Sequence, residues 1–88
     1  MLFSLGQIVA TPGALDLFER NRAEIVLYLL RHQGGDWGNL DREDTEANDY
    51  AVDHDLRILS AYEIDNEKFW IITEWDRSYT TILLPDEY

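Results

Sequence analysis

The chain has 88 residues, 45% of them hydrophobic, with three Trp, five Tyr, three Phe, no cysteine and a formal net charge of −11. That is the length of one small domain of ordinary globular composition, and the lack of cysteine excludes disulfides, thiolate metal sites and a cysteine nucleophile. The acidity argues against direct binding to nucleic acid or to an anionic membrane, both of which select Lys and Arg, and favours a basic protein surface.

Residues 5–10, LGQIVA, read as a short strand or an extended entry segment. MLFSLGQIVATPG has no basic region and too short an apolar run for a signal peptide, so a soluble, cytoplasmic protein is expected. TPGALDLFERN then predicts a helix. Thr11 caps it, Pro12 takes the first helical position, and Ala14, Leu17 and Phe18 form one apolar face. Asn21 is the expected cap of a second helix, with Glu24 three residues on to complete a capping box. The core of that helix, IVLYLL at 25–30, is apolar on every side, too short to span a bilayer, and stopped by Gly34 and Gly35. A helix with no polar face must be covered all round, which in so small a domain points to burial across a homodimer interface.

GGDWGNL is a loop, and its Trp37 has two readings. It is either an exposed aromatic anchor for a partner or a side chain that folds back to close the core. Asp41 caps a third helix, with Asp44 at the box position. Ala47, Tyr50, Ala51 and His54, at i, i+3, i+4 and i+7, are expected to pack inward, while Glu46, Asp49 and Asp53 form a stripe turned away from them. His32 and His54, each near the end of its helix, read as satisfied, partly buried residues or as cations favoured by the helix dipole.

The period then changes to that of strands. RILSAYEI, KFWIITEW and YTTILL, separated by DNE and DRS, predict a three-stranded antiparallel meander. Ile58, Tyr62 and Ile64 share one face of the first strand, Trp70 and Ile72 one face of the second, and Ile82 and Leu84 one face of the third. The expected fold class is α+β: about three N-terminal helices packed on one side of a C-terminal meander, with residues 5–10 available as a short edge strand, in one domain spanning 1–88.

The stretches GDWGNLDRED, RILSAYEI and WIITEWDRSYTTILLP together resemble a family of small bacterial proteins associated with plasmids and mobile elements, often labelled type I restriction endonuclease subunit M or plasmid-related protein. The resemblance runs from about Leu2 to the C-terminus. It implies a mobile-element setting and brings no catalytic residue with it.

No catalytic constellation is visible in the residues themselves. Ser4, Ser60 and Ser78 are framed by no nucleophile-elbow motif, and His32 and His54 have no zinc-binding spacing. From Asp41 the sixth position of an EF-hand loop is Glu46, where Gly is required. No G-x-G nucleotide loop is present. The expectation is a non-enzymatic protein with no cofactor and no metal site.

The acidic run remains. Residues 36–55 hold eight acids against Arg42 alone. Asp41, Glu43 and Asp44 suit a helix N-terminus, but Asp53 and Asp55 lie where the dipole disfavours them. Local helix stability therefore does not account for the whole cluster. The run reads either as the solvated face of a helix or as a partner-binding face of Asp36, Asp41, Glu43, Glu46, Asp49 and Asp53, with Trp37 as candidate anchor and a basic, nucleic-acid-handling protein as the expected partner. A helical stripe carries one charge per ~5.4 Å against one per ~1.7 Å of duplex DNA. DNA mimicry would need the adjoining acids or a dimer that doubles the row. Asp65, Glu67, Glu74, Asp76, Asp86 and Glu87 extend the expectation to a second acidic side. The alternative is a small-molecule-binding domain or small enzyme with a pocket between sheet and helices, using Trp37, Tyr62 or Trp70.

Overall fold

The computed structural model describes residues 1–88. Strand β1 (Gln7–Ala10) leads into α1 (Pro12–Arg20), α2 (Ile25–Gln33) and α3 (Arg42–His54), then β2 (Ile58–Ile64), β3 (Glu67–Thr73) and β4 (Tyr79–Leu83), with a 3-10 turn at Pro85–Glu87. The antiparallel meander is present as β2–β3–β4, Ile58 standing opposite Thr73 and Trp70 opposite Leu83. The sheet nevertheless has four strands. β1 runs parallel to β4, with Gln7 beside Tyr79 and Ala10 beside Ile82, so the order is β1-β4-β3-β2 and the sheet is mixed. The meander is thus part of the sheet, and one strand precedes the helices. Gly6 permits this entry: its φ is +64°, and a Cβ there would stand 2.4 Å from the carbonyl oxygens of Arg77 and Ser78, a position only glycine fills without strain.

Helix α1 starts as its sequence requires, the Thr11 hydroxyl accepting from the Ala14 amide at 3.2 Å. Glu87 reinforces this start from the far end of the chain, accepting from the Gly13 amide at 3.0 Å and the Leu84 amide at 2.8 Å. These donors, with the Thr11 hydroxyl foremost, hold the Glu87 carboxyl below its usual range.

Asn21 does not open α2. It closes α1, its side-chain amide donating to Leu17 O at 2.8 Å. Arg22 follows at φ +51° and the Ala23 amide bonds back to Phe18 O. The chain reversal between the helices consumes Asn21 and Arg22, and α2 begins after Glu24 with no side-chain cap bond.

Directly paired residues point to the same side of a sheet. Tyr62 with Phe69, Ser60 with Ile71 and Ile82, and Ile58 with Thr73 and Thr80 therefore face the helices, all of them buried. Trp70 and Ile72 face the other way, where Tyr88 meets Trp70 edge-on at 5.7 Å. On the helix side Phe18 stands 4.9 Å and Tyr28 5.0 Å from the Phe69 ring, both T-shaped. Burying side chains such as Leu17, Phe69, Ile71 and Ile82 stabilises the fold by about 1.5–3 kcal/mol each.

Helix α2 is not covered all round. Leu29, His32 and Gln33 are buried, while Val26, Leu27 and Leu30 lie about half exposed. The sheet has room for only one side of this helix, and the apolar run is longer than that side.

His32 is fully buried within a chain of hydrogen bonds that crosses the sheet. Its Nε2 lies 2.9 Å from Thr73 Oγ1, which lies 2.7 Å from Thr80 Oγ1, which donates to Leu5 O at 2.7 Å. The carbonyl can only accept, so Thr80 donates to Leu5, Thr73 to Thr80, and His32 Nε2–H to Thr73. The neutral His32 ring then accepts at Nδ1 from Ser60 Oγ. Burial, with the Arg77 charge nearby, lowers its pKa to about 3.

An unfolded imidazole takes a proton near pH 6.5, well before the folded one. The stability that neutral His32 supplies is therefore whole above about pH 6.5 and is lost as pH falls toward 3. Relief of carboxylate repulsion acts in the opposite direction, so the comparison must be made against a chain lacking the imidazole. The expected outcome in urea unfolding is that the stability advantage of wild type over His32→Gln shrinks by roughly 2–3 kcal/mol between pH 7 and pH 4.5.

Candidate functional site

Strand β2 is one edge of the sheet, and the chain closes it from outside. The Asn48 side chain of α3 donates to Leu59 O at 2.7 Å and accepts from Leu59 N at 3.1 Å, replacing a neighbouring strand. One step along, Ala61 N donates to Trp37 O at 3.0 Å, and Asn39 N donates to Ala61 O at 2.6 Å. Gly38 sits so close that a Cβ would lie 2.0 Å from Ala61 O.

This docking sets the rotation of α3. The expected inward stripe is displaced: Asn48 and Ala51 face the sheet, whereas Ala47, Tyr50 and His54 are exposed. Tyr50 and His54 stack on each other at 3.7 Å. The physical reason is that a sheet edge presents backbone donors and acceptors, which an amide satisfies and an apolar stripe does not. The far end of α3 is held by Arg77, which donates to Ala51 O at 2.9 Å and Leu56 O at 2.6 Å.

Trp37 is 4% exposed and packs with Ala51 and Ile58 in a second small core. The anchor reading is therefore corrected. The indole closes the core, and its Nε1 donates to Asp49 Oδ1 at 3.0 Å.

The six acidic candidates are all exposed but not equivalent. Asp36 pairs with Arg31 at 2.7 Å, and that bond holds its carboxyl below the usual range. Asp41 is the α3 cap, accepting from the Asp44 amide at 2.8 Å. Asp49 holds Trp37, and Glu46 meets the exposed Arg42 at 3.2 Å. Glu43 and Asp53 have no hydrogen-bond or ion-pair partner. α3 brings Glu43, Glu46, Asp49 and Asp53 to its solvent side, with Asp36 and Asp41 in the turns leading into it.

The acids of the meander serve other ends. Glu67 pairs with Arg20 at 2.9 Å and Glu74 with Arg57 at 3.1 Å. Asp76 accepts from Ser78, and Glu87 clamps the start of α1. The second acidic side is thus largely tied into local structure.

Charge is divided along the fold in a way the acidic run alone does not reveal. Residues 1–35 hold three acids and three arginines, while residues 36–88 hold fifteen acids and four basic residues. The whole net charge lies in the part that begins at the α3 approach. The exposed large aliphatic side chains, Leu56 apart, lie in the neutral part.

No pocket opens between sheet and helices, where Tyr28, Tyr62, Phe69 and His32 fill the space. The surface carries an open groove of about 630 Å³ between α1 and α2, walled by Leu15, Phe18, Ile25 and Val26, and a dent of about 170 Å³ at Leu40, Asn48 and Leu59. Neither is lined by Trp37, Tyr62 or Trp70. No group of three or more His, Asp or Glu side chains is placed to hold a metal ion, and no helix is long and apolar enough to cross a membrane. Comparison with protein-family models, with curated proteins and with solved structures finds no match.

Asn48 positions the acidic helix through two bonds that no other residue supplies. Asn48→Ala is expected to cost about 1–3 kcal/mol by stranding the Leu59 amide and carbonyl, measured by chemical denaturation. The amide of Leu59 should then exchange faster than its neighbours in β2.

Proposed function

We propose that this protein is a non-enzymatic interaction protein whose acidic α3 surface occupies a basic, nucleic-acid-handling surface on another protein. One observation carries this reading. Glu43, Glu46, Asp49 and Asp53 stand on the solvent side of a helix fixed at the sheet edge, offset only by the exposed Arg42 pair. A preorganised row of like charge is favourable only where opposite charge meets it. The resemblance to plasmid- and mobile-element-associated proteins supports an anti-restriction-like or regulatory role in the cytoplasm. In this reading the protein acts as a partial stand-in for a phosphate backbone and makes no direct contact with nucleic acid. Asp36 and Asp41 extend the row beyond what one helical stripe offers.

The test is retention of host proteins on the tagged, purified chain, eluted in salt steps and identified by mass spectrometry. The charge variant joins Glu43→Lys, Glu46→Lys and Asp53→Lys with Asp49→Asn, because Asp49 must keep its acceptor for Trp37. Wild type is expected to hold a nucleic-acid-binding protein that elutes at moderate salt, and the variant to lose it. Retention that is indifferent to salt, or equal in the variant, contradicts the reading.

A further inference from the structure

The two edges of the sheet are treated differently, and the difference identifies a second surface. The β2 edge is closed by Asn48, Trp37 and Asn39. The β1 edge has nothing on it. Gln7 N donates to Ser78 O and Thr11 N to Ile82 O, so odd-numbered residues bond to β4. In a parallel pair the alternate residues turn their backbone groups away. Ile8 and Ala10 therefore present N–H and C=O outward. β1 is short, at four residues, but carries no lysine, no proline and no bulge against edge pairing. Its two central side chains are aliphatic and open, Ile8 43% and Val9 42% exposed.

We propose that β1 is the surface on which a second copy of this chain docks, by antiparallel pairing about a two-fold axis through Val9. An isologous contact needs a self-complementary patch, and the parity of β1 supplies one. Ile8 of one copy and Ala10 of the other exchange two backbone hydrogen bonds, and symmetry repeats the pair. The two Val9 side chains meet across the close, non-hydrogen-bonded position at about 4.5 Å between Cα atoms. The product is a continuous eight-stranded sheet.

Charge selects this occupant and this edge. Two copies, each of net charge −11, repel wherever their acidic parts approach. No charged side chain occurs in residues 1–15, which contain β1. Pairing through β1 also leaves β2 and its acidic helix at opposite ends of the joined sheet. The two β2 strands are then seven strand spacings of about 4.8 Å apart, several Debye lengths of about 8 Å at physiological ionic strength. The exposed apolar side of α2 has no comparable directional groups to specify a mate. The proposal does not depend on what α3 binds.

Sedimentation equilibrium on the purified full chain, from micromolar to millimolar, tests it. Wild type is expected to show a monomer–dimer equilibrium that tightens with added salt. Ile8→Pro removes only an outward N–H, and Val9→Lys sets two like charges face to face while reducing the overall charge. Each should raise the dimer dissociation constant about tenfold or more, ~1.4 kcal/mol, and the charge-neutral double variant Leu27→Gln/Leu30→Gln on α2 should leave it unchanged. In amide exchange, Ile8 and Ala10 should gain protection with concentration. If Ile8→Pro disturbs folding, seen by circular dichroism, Val9→Lys decides alone. A chain monomeric to millimolar concentration, a dimer that survives Val9→Lys, or one lost only in the α2 variant overturns the proposal.

Discussion

A neutral imidazole at the centre of the molecule ties the layers together. His32 comes from α2, yet its two nitrogens reach β2 through Ser60 and β3 through Thr73, and the chain continues through Thr80 of β4 to the segment that enters β1. Each polar atom in that path is removed from water, so each must find its partner inside the protein. No buried side-chain nitrogen or oxygen is left without one. This requirement fixes the height and rotation of α2 over the sheet more tightly than aliphatic packing would. The aromatic cluster of Phe18, Tyr28, Tyr62 and Phe69 is then built around a helix whose position is already set.

From that fixed core the surface divides in two. At one end α3 substitutes for a strand and displays its acids. At the other β1 displays backbone and aliphatic side chains with no charge. The separation follows from the order of elements, since the neutral first 35 residues form β1, α1 and α2, while the acidic remainder begins at the β2 edge. A chain of this composition with its acids spread evenly would have no place where another copy could approach.

Much of the architecture is legible in the residues. Thr11 and Pro12 mark α1, Asp41 marks α3, and the β-branched and aromatic stretches mark the meander, because caps, turns and strand periodicity are local properties. The misreadings share one cause. Asn21 caps well in either direction, and only the Phe18–Ala23 closure shows which helix it serves. Apolar periodicity predicts an inward stripe of Ala47, Tyr50, Ala51 and His54 on α3, whereas the helix meets a sheet edge, and there the residue that counts is the polar Asn48. The depth of His32 depends on Ser60, Thr73 and Thr80, separated from it by 28 to 48 positions, and no spacing rule connects them. At the acidic site the charge was plain from the sequence. The structural uses of the acids, Asp49 of that site holding Trp37 and Glu87 near the C-terminus holding Thr11, were not, because both contacts are tertiary.

The parallel pairing of β1 with β4 also bears on the order in which the protein forms. Gln7 waits for Tyr79, seventy-two positions later, whereas the hairpins β2–β3 and β3–β4 close over short turns. Closing so long a loop carries a larger entropic cost, and non-local pairing of this kind slows folding. During synthesis, at about 5–20 residues per second, β1 therefore spends several seconds as an unpaired apolar strand. The helix that immediately follows it, capped by its own Thr11, is the first element able to form beside it in that interval.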